Sequence, residues 1–283
     1  MLSSSVATTR VLTPADLPAA LEVLDRDPVE NAFVAARVAV AGLDAWRLGG
    51  EMWGWFDGGR LEALCYAGAN LVPLSASSAA VQAFAERARR QGRRCSSIVG
   101  PAVATAELWS LLEPHWGPAR EVRARQPLMT TWEPSRTVAA DPRVRRVRRD
   151  EMDLLLPACV AMFTEEVGVS PLAGDGGALY RARVEELIAL RRAWARFDGG
   201  RVVFKAEIGA ATEEVCQVQG VWVDPALRAR GVGTAGTAAV VEQARATVAP
   251  VVSLYVNDFN VAARRAYEKV GFVQVGTFAS ILF

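Results

Sequence analysis

The chain has 283 residues, of which 51% are hydrophobic and 22% charged, so it can bury the core of one large domain or of two medium ones. Its 32 basic and 31 acidic residues nearly cancel, which excludes an overall field that would draw the protein to nucleic acid or to an anionic membrane. Four separately placed cysteines and one histidine argue against a metal site and a disulfide framework, and they favour a reducing cytoplasm.

The first half of the chain alternates strand and helix signals. Residues 63–85 carry no charge, but Asn70, Pro73 and several serines interrupt them, which predicts a strand, a turn and a helix rather than a membrane span. Period-two and helical spacing of the apolar residues predict the other elements. The strands are predicted at Arg10–Leu12, Trp53–Phe56, Leu61–Tyr66, Leu71–Leu74 and Ser96–Val99, and the helices at Ala15–Leu24, Val29–Val40, Ala79–Gln91 and Ala102–Leu112.

The second half repeats this order after a Pro-containing linker at 134–142. Strands are predicted at Arg143–Arg149, Trp194–Phe197, Arg201–Ile208, Val215–Val223, Val251–Val256, Phe272–Val275 and Thr277–Phe283, and helices at 152–163, Ala178–Arg192, Gly231–Thr247 and Val261–Val270. The repeated order indicates an internal duplication. We therefore predict an α/β fold with mixed sheets, in two similar domains at 1–133 and 143–283, of which the first has lost its site.

The strongest chemical signal lies between a strand and a helix, in Val-Trp-Val-Asp-Pro-Ala-Leu-Arg-Ala-Arg-Gly-Val-Gly-Thr at 221–234. Gly231 and Gly233 lack a Cβ, so backbone N–H groups at the start of the helix can approach an anion such as a pyrophosphate. The alternative is a plain glycine-rich turn. Because Gly236 supplies a third glycine, the segment also matches the Gly-x-Gly-x-x-Gly fingerprint of dinucleotide-binding folds. The next strand, however, leads to Asn257 and not to an acidic residue.

A second motif follows at 253–272, where a strand leads to an Asn, a helix, a Tyr and then Gly-Phe. Asn260 and Tyr267 stand seven residues apart. Together the two motifs resemble the GNAT superfamily of acyltransferases. The whole chain is similar to bacterial tandem GNAT-type proteins whose N-terminal half is a domain of unknown function. The resemblance implies two tandem GNAT-like domains, the N-terminal one degenerate, with acetyl-CoA as co-substrate and no metal.

The resemblance also implies the role of each site residue. Tyr267 would protonate the departing CoA thiolate, and a phenol can act as such a donor near neutral pH. The alternative is that Tyr267 is a core residue of an amphipathic helix. The implied coenzyme-binding residues are Val221, Trp222 and Val223 through their backbone, the loop of Arg228, Ala229, Arg230, Gly231, Val232, Gly233 and Thr234, and the side chains of Asn257 and Asn260.

The general base is not evident from the sequence. Gln217 and Tyr255 occupy positions where related enzymes often keep a base. The acidic candidates are Glu165, Glu166, Glu207, Glu213 and Glu214. Glu207 lies two residues from Lys205 on the same strand face, so an ion pair is the simpler interpretation of that residue. Glu165 and Glu166 border the loop expected to wall the acceptor pocket, although a charged helix end also explains them. A water relay, or an amine arriving deprotonated, would need no base.

These observations predict a cytoplasmic N-acyltransferase that moves acetyl from acetyl-CoA to a primary amine by direct attack. The alternative is a non-catalytic CoA-binding sensor, and a nucleic-acid-binding module is a distant third. The acceptor stays open among small metabolites, antibiotic-like amines and protein amines. No membrane or nucleic-acid partner is expected, and a homodimer is one alternative for the oligomeric state.

Overall fold

The computed structural model describes residues 7–173 and 176–283. Within these ranges the extended segments are β1 Thr8–Val11, β2 Glu51–Asp57, β3 Arg60–Ala67, β4 Asn70–Leu74, β5 Ser97–Pro101, β6 Glu121–Thr131, β7 Arg145–Arg146, β8 Ala193–Asp198, β9 Arg201–Ala211, β10 Val215–Val223, β11 Val251–Tyr255 and β12 Val273–Leu282.

The helices begin at recognisable caps. The Asp27 carboxylate accepts from the Glu30 N–H at 2.9 Å, and Ser77 and Asn260 cap two later helices in the same way. None of the helices in the described ranges is long and apolar enough to cross a membrane. The helices are α1 Leu17–Leu24, α2 Pro28–Ala41, α3 Ala45–Leu48, α4 Ser78–Gln91, α5 Ala102–Trp116, α6 Met152–Val167, α7 Ala178–Ala189, α8 Val232–Thr247 and α9 Val261–Val270.

Most predicted elements are present, and three strands differ. β6 was not predicted, because the charged residues at its start and Pro127 hide its pattern, although its residues from Gln126 onward are buried. β7 covers two residues instead of the predicted seven. The two predicted C-terminal strands form the single strand β12, because Gly276 does not interrupt it.

The described chain forms two compact units. The first contains the described residues up to Leu128 together with Tyr255–Phe259 and Gln274–Phe283, and the second contains Met129–Leu254 and Asn260–Val273. Up to their last helices, both carry the element order predicted from the sequence, with a parallel strand pair before that helix. The fold is therefore the predicted mixed α/β arrangement in two similar copies.

The first unit is built on a mixed sheet covered on both faces. β1 to β4 pair antiparallel in succession, β4 pairs parallel with β5, and β12 pairs antiparallel with β5. Successive strand residues point to opposite faces. Trp53 accordingly packs with Phe84 and Leu108 in one apolar cluster, whereas Met52 packs with Leu24 in another.

The second unit has the corresponding sheet. β7, β8, β9 and β10 pair antiparallel in succession, and β10 pairs parallel with β11. One face of this sheet is covered by α6 and α7, whose Leu155, Cys159 and Leu187 pack against Ala195 and Val202. This packing sets the end of α6 and the end of β10 in the positions that form the candidate site.

Neither compact unit is continuous along the chain. Residues 274–283 belong to the first unit, where β12 completes its hydrogen bonds with β5. The predicted linker at 134–142 belongs to the second unit and is packed there, since the Thr137 hydroxyl donates to the Lys269 carbonyl at 3.1 Å and Asp141 is buried against Arg196. A cut in this linker would remove a paired strand from the first unit, so the two copies are not separable at that point.

Candidate active site

The two parallel strands of the second unit diverge and leave an open edge. β10 and β11 pair only over Val215–Gln217 and Val251–Ser253, whereas the opposite edge of β10 pairs with β9 along its length. Residues 218–223 therefore have no described strand partner on the side of β11. Their backbone N–H and C=O groups on that side can bind an extended ligand that carries amides. Val221, Trp222 and Val223 lie on this edge and are half-buried, and their predicted backbone contacts with the coenzyme stay a prediction.

A bulge distorts β10 at the same place. Gln219 pairs with Glu207 and Trp222 with Lys205, so two residues of β10 stand opposite one residue of β9. Gly220 has a φ of +59°, and a Cβ there would lie 3.0 Å from the Glu207 carboxyl carbon and from the Lys205 ammonium. Glycine is therefore required in this turn of the strand. Bulges of this kind bend a strand and re-aim its groups beside active sites.

The turn from β10 into α8 is the candidate anion site. Ala229 and Gly231 have φ angles of +60° and +80°, and α8 begins at Val232 without a side-chain cap. The first N–H groups of α8 thus have no capping side chain, and they form the positive end of the helix dipole. No atom of the described residues outside its immediate neighbours lies within 4 Å of where a Gly231 Cβ would stand, so the approach is open. A left-handed alanine costs about 1 kcal/mol, a strain typical of functional turns.

The third glycine of this segment has a packing role. A Cβ on Gly236 would lie 2.7 Å from the Phe204 ring, so glycine there allows α8 to lie close on β9. Gly233 differs, because its Cβ would meet only Val223 at 3.2 Å. The Gly-x-Gly-x-x-Gly spacing is therefore explained by two separate features, the candidate anion-binding turn and one helix–sheet contact. It does not indicate a dinucleotide-binding fold.

The C-terminal end of α6 contacts β10 and the turn before α8. Glu165 accepts a hydrogen bond from the Trp222 indole at 3.3 Å and from the Arg228 guanidinium at 2.7 Å. Arg228 also donates to the Val223 carbonyl at 3.1 Å. The predicted anion-binding arginine is thus held by a carboxylate, and both side chains are about half exposed. Glu165, which the sequence offered as a base, instead connects α6 to β10 and to the turn.

Tyr267 lies buried on α9, with its ring against Phe272 at a centroid distance of 5.9 Å. Burial raises the pKa of its phenol, and the charge of Glu166 raises it further. The phenol is therefore protonated at neutral pH, as a proton donor must be.

Glu207 forms the ion pair expected from its spacing. Its carboxylate accepts from the Lys205 ammonium at 2.9 Å and from the Gln219 amide at 3.0 Å. Burial opposes the charge of Lys205, but Glu207 and Cys159 outweigh it and raise the lysine pKa. Lys205 is 1% exposed, so a charged pair lies under the bulge of β10. The role of Glu207 as a base stays a prediction.

The two predicted asparagines lie in different places. The Asn260 side-chain oxygen accepts from the Ala263 N–H at 3.1 Å and caps α9. Asn257 is buried in the first unit, where it accepts from Gln126 at 2.9 Å, and Gln126 accepts in turn from Ser280 at 2.6 Å. Asn257 thus belongs to a buried polar chain, and a coenzyme contact from its side chain stays a prediction. The strand pattern gave no sign of this chain, because Gln126 lies in the unpredicted β6.

The corresponding turn of the first unit is different. β4 ends at Leu74, α4 begins at Ser78, and no glycine lies between them. The Ser77 hydroxyl accepts from the Ala80 N–H at 3.4 Å, so one helix donor is already satisfied. This turn lacks both features that make the turn before α8 a candidate anion site. Within 7–173 and 176–283, no group of three or more His, Cys, Asp or Glu side chains is placed to hold a metal ion.

Comparison with protein families gives two matches along the chain. The Acetyltransferase (GNAT) family matches residues 172–272, which include the open edge, the candidate anion site and Tyr267. A domain of unknown function, DUF4081, matches residues 50–155. No curated protein matches the sequence.

Solved structures resemble the chain over nearly its whole length. A GNAT-family acetyltransferase from Colwellia psychrerythraea has 12% identity and a TM-score of 0.57, covering 98% of this chain and 99% of its own. A GCN5-related N-acetyltransferase from Sphaerobacter thermophilus has 16% identity and a TM-score of 0.60, covering 97% and 94%. A tandem GNAT protein from the clavulanic acid biosynthesis pathway has 12% identity and a TM-score of 0.58, covering 98% of each chain. The chain therefore has a segment that matches the Acetyltransferase (GNAT) family and one that matches DUF4081, and it has the fold of tandem GNAT proteins.

Proposed function

We propose that the protein is an N-acyltransferase that moves acetyl from acetyl-CoA to a primary amine, with its site in the second unit. The observation that carries this proposal is the open edge of β10 leading directly into the uncapped start of α8. Acetyl-CoA has two parts that match this arrangement, because its extended, amide-containing pantetheine arm is joined directly to a pyrophosphate. The fit is supported by the open approach at Gly231, where any side chain would fill the space.

Each part of the site would act on one part of the co-substrate. The open edge of residues 218–223 binds the amides of the pantetheine arm. The N–H groups at the start of α8, with Gly231 and Gly233, bind the pyrophosphate. Acetyl-CoA supplies the thioester that the amine attacks, and backbone donors at the bulge stabilise the charge that develops on the carbonyl oxygen.

Side chains of the site would donate and accept the protons that the reaction transfers. Tyr267 is a neutral phenol and gives its proton to the departing thiolate sulfur. Glu207 is engaged with Lys205 and Gln219, and we assign it to fixing the bulge of β10. Glu166 is then the candidate side chain for accepting the amine proton, with a neutral incoming amine as the alternative.

The reaction is tested by release of free CoA thiol from acetyl-CoA in the presence of a panel of primary amines. The panel contains polyamines, aminoglycosides, amino acids, and peptides with a free N-terminus or lysine. We expect at least one amine to give thiol release together with an acetylated product detected by mass spectrometry. Tight acetyl-CoA binding without release from any member would instead favour the non-catalytic sensor.

The ion pair between Glu165 and Arg228 predicts a specific effect on coenzyme binding. If Arg228 leaves Glu165 to reach the pyrophosphate, then Glu165→Gln should tighten acetyl-CoA binding, because the charged pair no longer competes. Exposed pairs of this kind contribute at most about 1 kcal/mol, so the gain should be about two- to fivefold in Kd. Isothermal titration measures it, with Glu185→Gln on the exposed face of α7 as the matched control. Weaker binding in Glu165→Gln would show that the carboxylate positions Arg228 instead of competing for it.

A further inference from the structure

A buried charged pair spans the bulge of β10 on the side of β9. Glu207 pairs in register with Gln219, where the bulge begins, and Lys205 pairs with Trp222, where it ends. The Lys205 ammonium donates to the Glu207 carboxylate at 2.9 Å, and the two side chains are only 1% and 12% exposed. Both lie close under Gly220, where a Cβ would meet the ammonium and the carboxyl carbon at 3.0 Å. The pair therefore sets the distance between the two ends of the bulge.

The outer end of this network depends on a second glycine. Gln219 donates from its side-chain amide to Glu207 at 3.0 Å and so ties the start of the bulge to the ion pair. Gly209 lies inside β9, where glycine usually weakens a strand. A Cβ on Gly209 would overlap the Gln219 amide, so a larger residue there would displace the amide from the carboxylate. The space that Gly209 leaves is therefore the space that Gln219 needs.

Stability alone does not account for a lysine at this position. A buried ion pair recovers little more than the cost of removing its charges from water, and apolar residues of similar size often stabilise a protein as well or better. The chain has 30 arginines and only two lysines, Lys205 and Lys269. A lysine ammonium is compact, whereas a planar guanidinium needs more room. The residue type therefore points to a geometric requirement under the bulge.

We propose that Lys205 is a positioning residue for acetyl transfer, which acts through Glu207 and Gln219 to hold the backbone donors of the bulge toward the thioester carbonyl oxygen. This inference rests on the proposed function, because those donors are the ones assigned to the developing charge. Lys205 is 1% exposed and its ammonium is engaged with Glu207, so it acts on the strand and not by contact with the substrate. Without the ion pair the bulge relaxes and the donors lose their alignment, while the open edge and the start of α8 still bind the coenzyme.

The test uses the full-length protein with acetyl-CoA labelled with ¹³C at the acetyl carbonyl. Difference infrared spectroscopy isolates the carbonyl stretch of the bound thioester, whose frequency falls when donors polarise the carbonyl. We expect the parent to lower this frequency below that of acetyl-CoA in buffer. Lys205→Met, which removes the charge and keeps an unbranched side chain, should return it most of the way.

Binding and rate should separate in the same variant. The Kd of Lys205→Met for acetyl-CoA should stay within about threefold of the parent, because the contacts that bind the coenzyme are unchanged. Its single-turnover rate with an accepted amine should fall about 10²-fold, the loss expected when a reacting group is misplaced by about 1 Å. The infrared measurement needs no acceptor, so it tests the positioning role separately from the reaction.

Two further variants make the test specific. Gly209→Ala leaves both charges in place and suits a strand, but its methyl group displaces Gln219, so carbonyl frequency and rate should change as in Lys205→Met and by less. Arg196→Met is the control, because it breaks a buried ion pair with Asp141 (3.0 Å) on the opposite face of the same sheet. It should lower the thermal stability and leave the carbonyl frequency and the rate unchanged.

Two results would overturn this inference. One is a folded Lys205→Met protein that keeps the lowered carbonyl frequency of the parent, and the other is an Arg196→Met protein that loses it as well. If Lys205→Met does not fold, Gly209→Ala decides by the same criterion. A parent that binds acetyl-CoA without lowering the frequency would overturn the proposed backbone donors. A parent that does not bind it would overturn the proposed function, and this inference falls with either.

Discussion

Tyr267→Phe should lower the single-turnover rate of acetyl transfer by about 10²–10⁴-fold, the range that general acid catalysis contributes. The ring would still pack on Phe272, so the helix and the affinity for acetyl-CoA should change little. Because the pKa of the phenol is raised above its ordinary value of 10, the parent enzyme should not lose activity through this group below about pH 10. The loss in Tyr267→Phe should therefore be present across the neutral range.

The matched control is Tyr66→Phe, which removes the hydroxyl of another buried tyrosine. Tyr66 donates to the Leu48 carbonyl at 3.2 Å within the first unit, and it has no part in the proposed chemistry. Its variant should keep the parent rate. Single-turnover measurements are needed because slow product release would hide a loss in the steady state. A Tyr267→Phe enzyme with the full single-turnover rate would remove the phenol from the mechanism and leave only the coenzyme site.

Thr234→Asp should abolish acetyl-CoA binding while the fold becomes slightly more stable. Thr234 is the third residue of α8, where a carboxylate interacts favourably with the helix dipole by about 0.3–1 kcal/mol. The same carboxylate would oppose a pyrophosphate bound there. At a separation of about 5 Å and an effective dielectric constant of about 20, one such repulsion costs about 3 kcal/mol, or at least 100-fold in affinity.

Thr234→Asn is the control because it has the shape of the aspartate without its charge. It should bind acetyl-CoA within about fivefold of the parent, and calorimetry should show both variants folded. The two opposite effects of the aspartate, higher stability and lost binding, distinguish an anion site from a general disturbance of the helix. Equal affinity in Thr234→Asp and Thr234→Asn would place the pyrophosphate elsewhere.

Local sequence patterns were sufficient to predict most of the fold. The alternation of apolar residues and the Asp-Gly-Gly turns predicted the β2–β3 and β8–β9 hairpins. The membership of β12 in the first unit could not be predicted, because which strand it pairs with depends on contacts between residues more than 170 positions apart, such as Ser280 and Val99. β6 was missed for a local reason, since Arg123, Arg125 and Pro127 break the apolar pattern of a strand that is buried only from Gln126 onward.

The candidate site likewise has features that could be predicted from the sequence and features that only the structure reveals. The glycines of the turn and the Asn260–Tyr267 interval were visible in the sequence, because they express backbone and family constraints. The contacts of Glu165 with Trp222 and Arg228 were not, since they join α6 to a strand and a loop far along the chain. In the sequence, Gly236 matches the spacing of a dinucleotide-binding fingerprint. The structure shows instead that the Phe204 ring leaves no room for a Cβ at this position. The roles of side chains that act through tertiary contacts can be assigned only from the structure.

Hydrogen–deuterium exchange of the full-length chain with and without acetyl-CoA tests the central claim most directly. If the open edge of β10 and the start of α8 bind the coenzyme, then amides in 218–223 and 229–235 should exchange more slowly when it is present. Peptides covering 70–80 and 97–105, the corresponding elements of the first unit, should be unchanged. Slower exchange in the first unit, with 218–235 unaffected, would contradict the assignment of the site to the second unit.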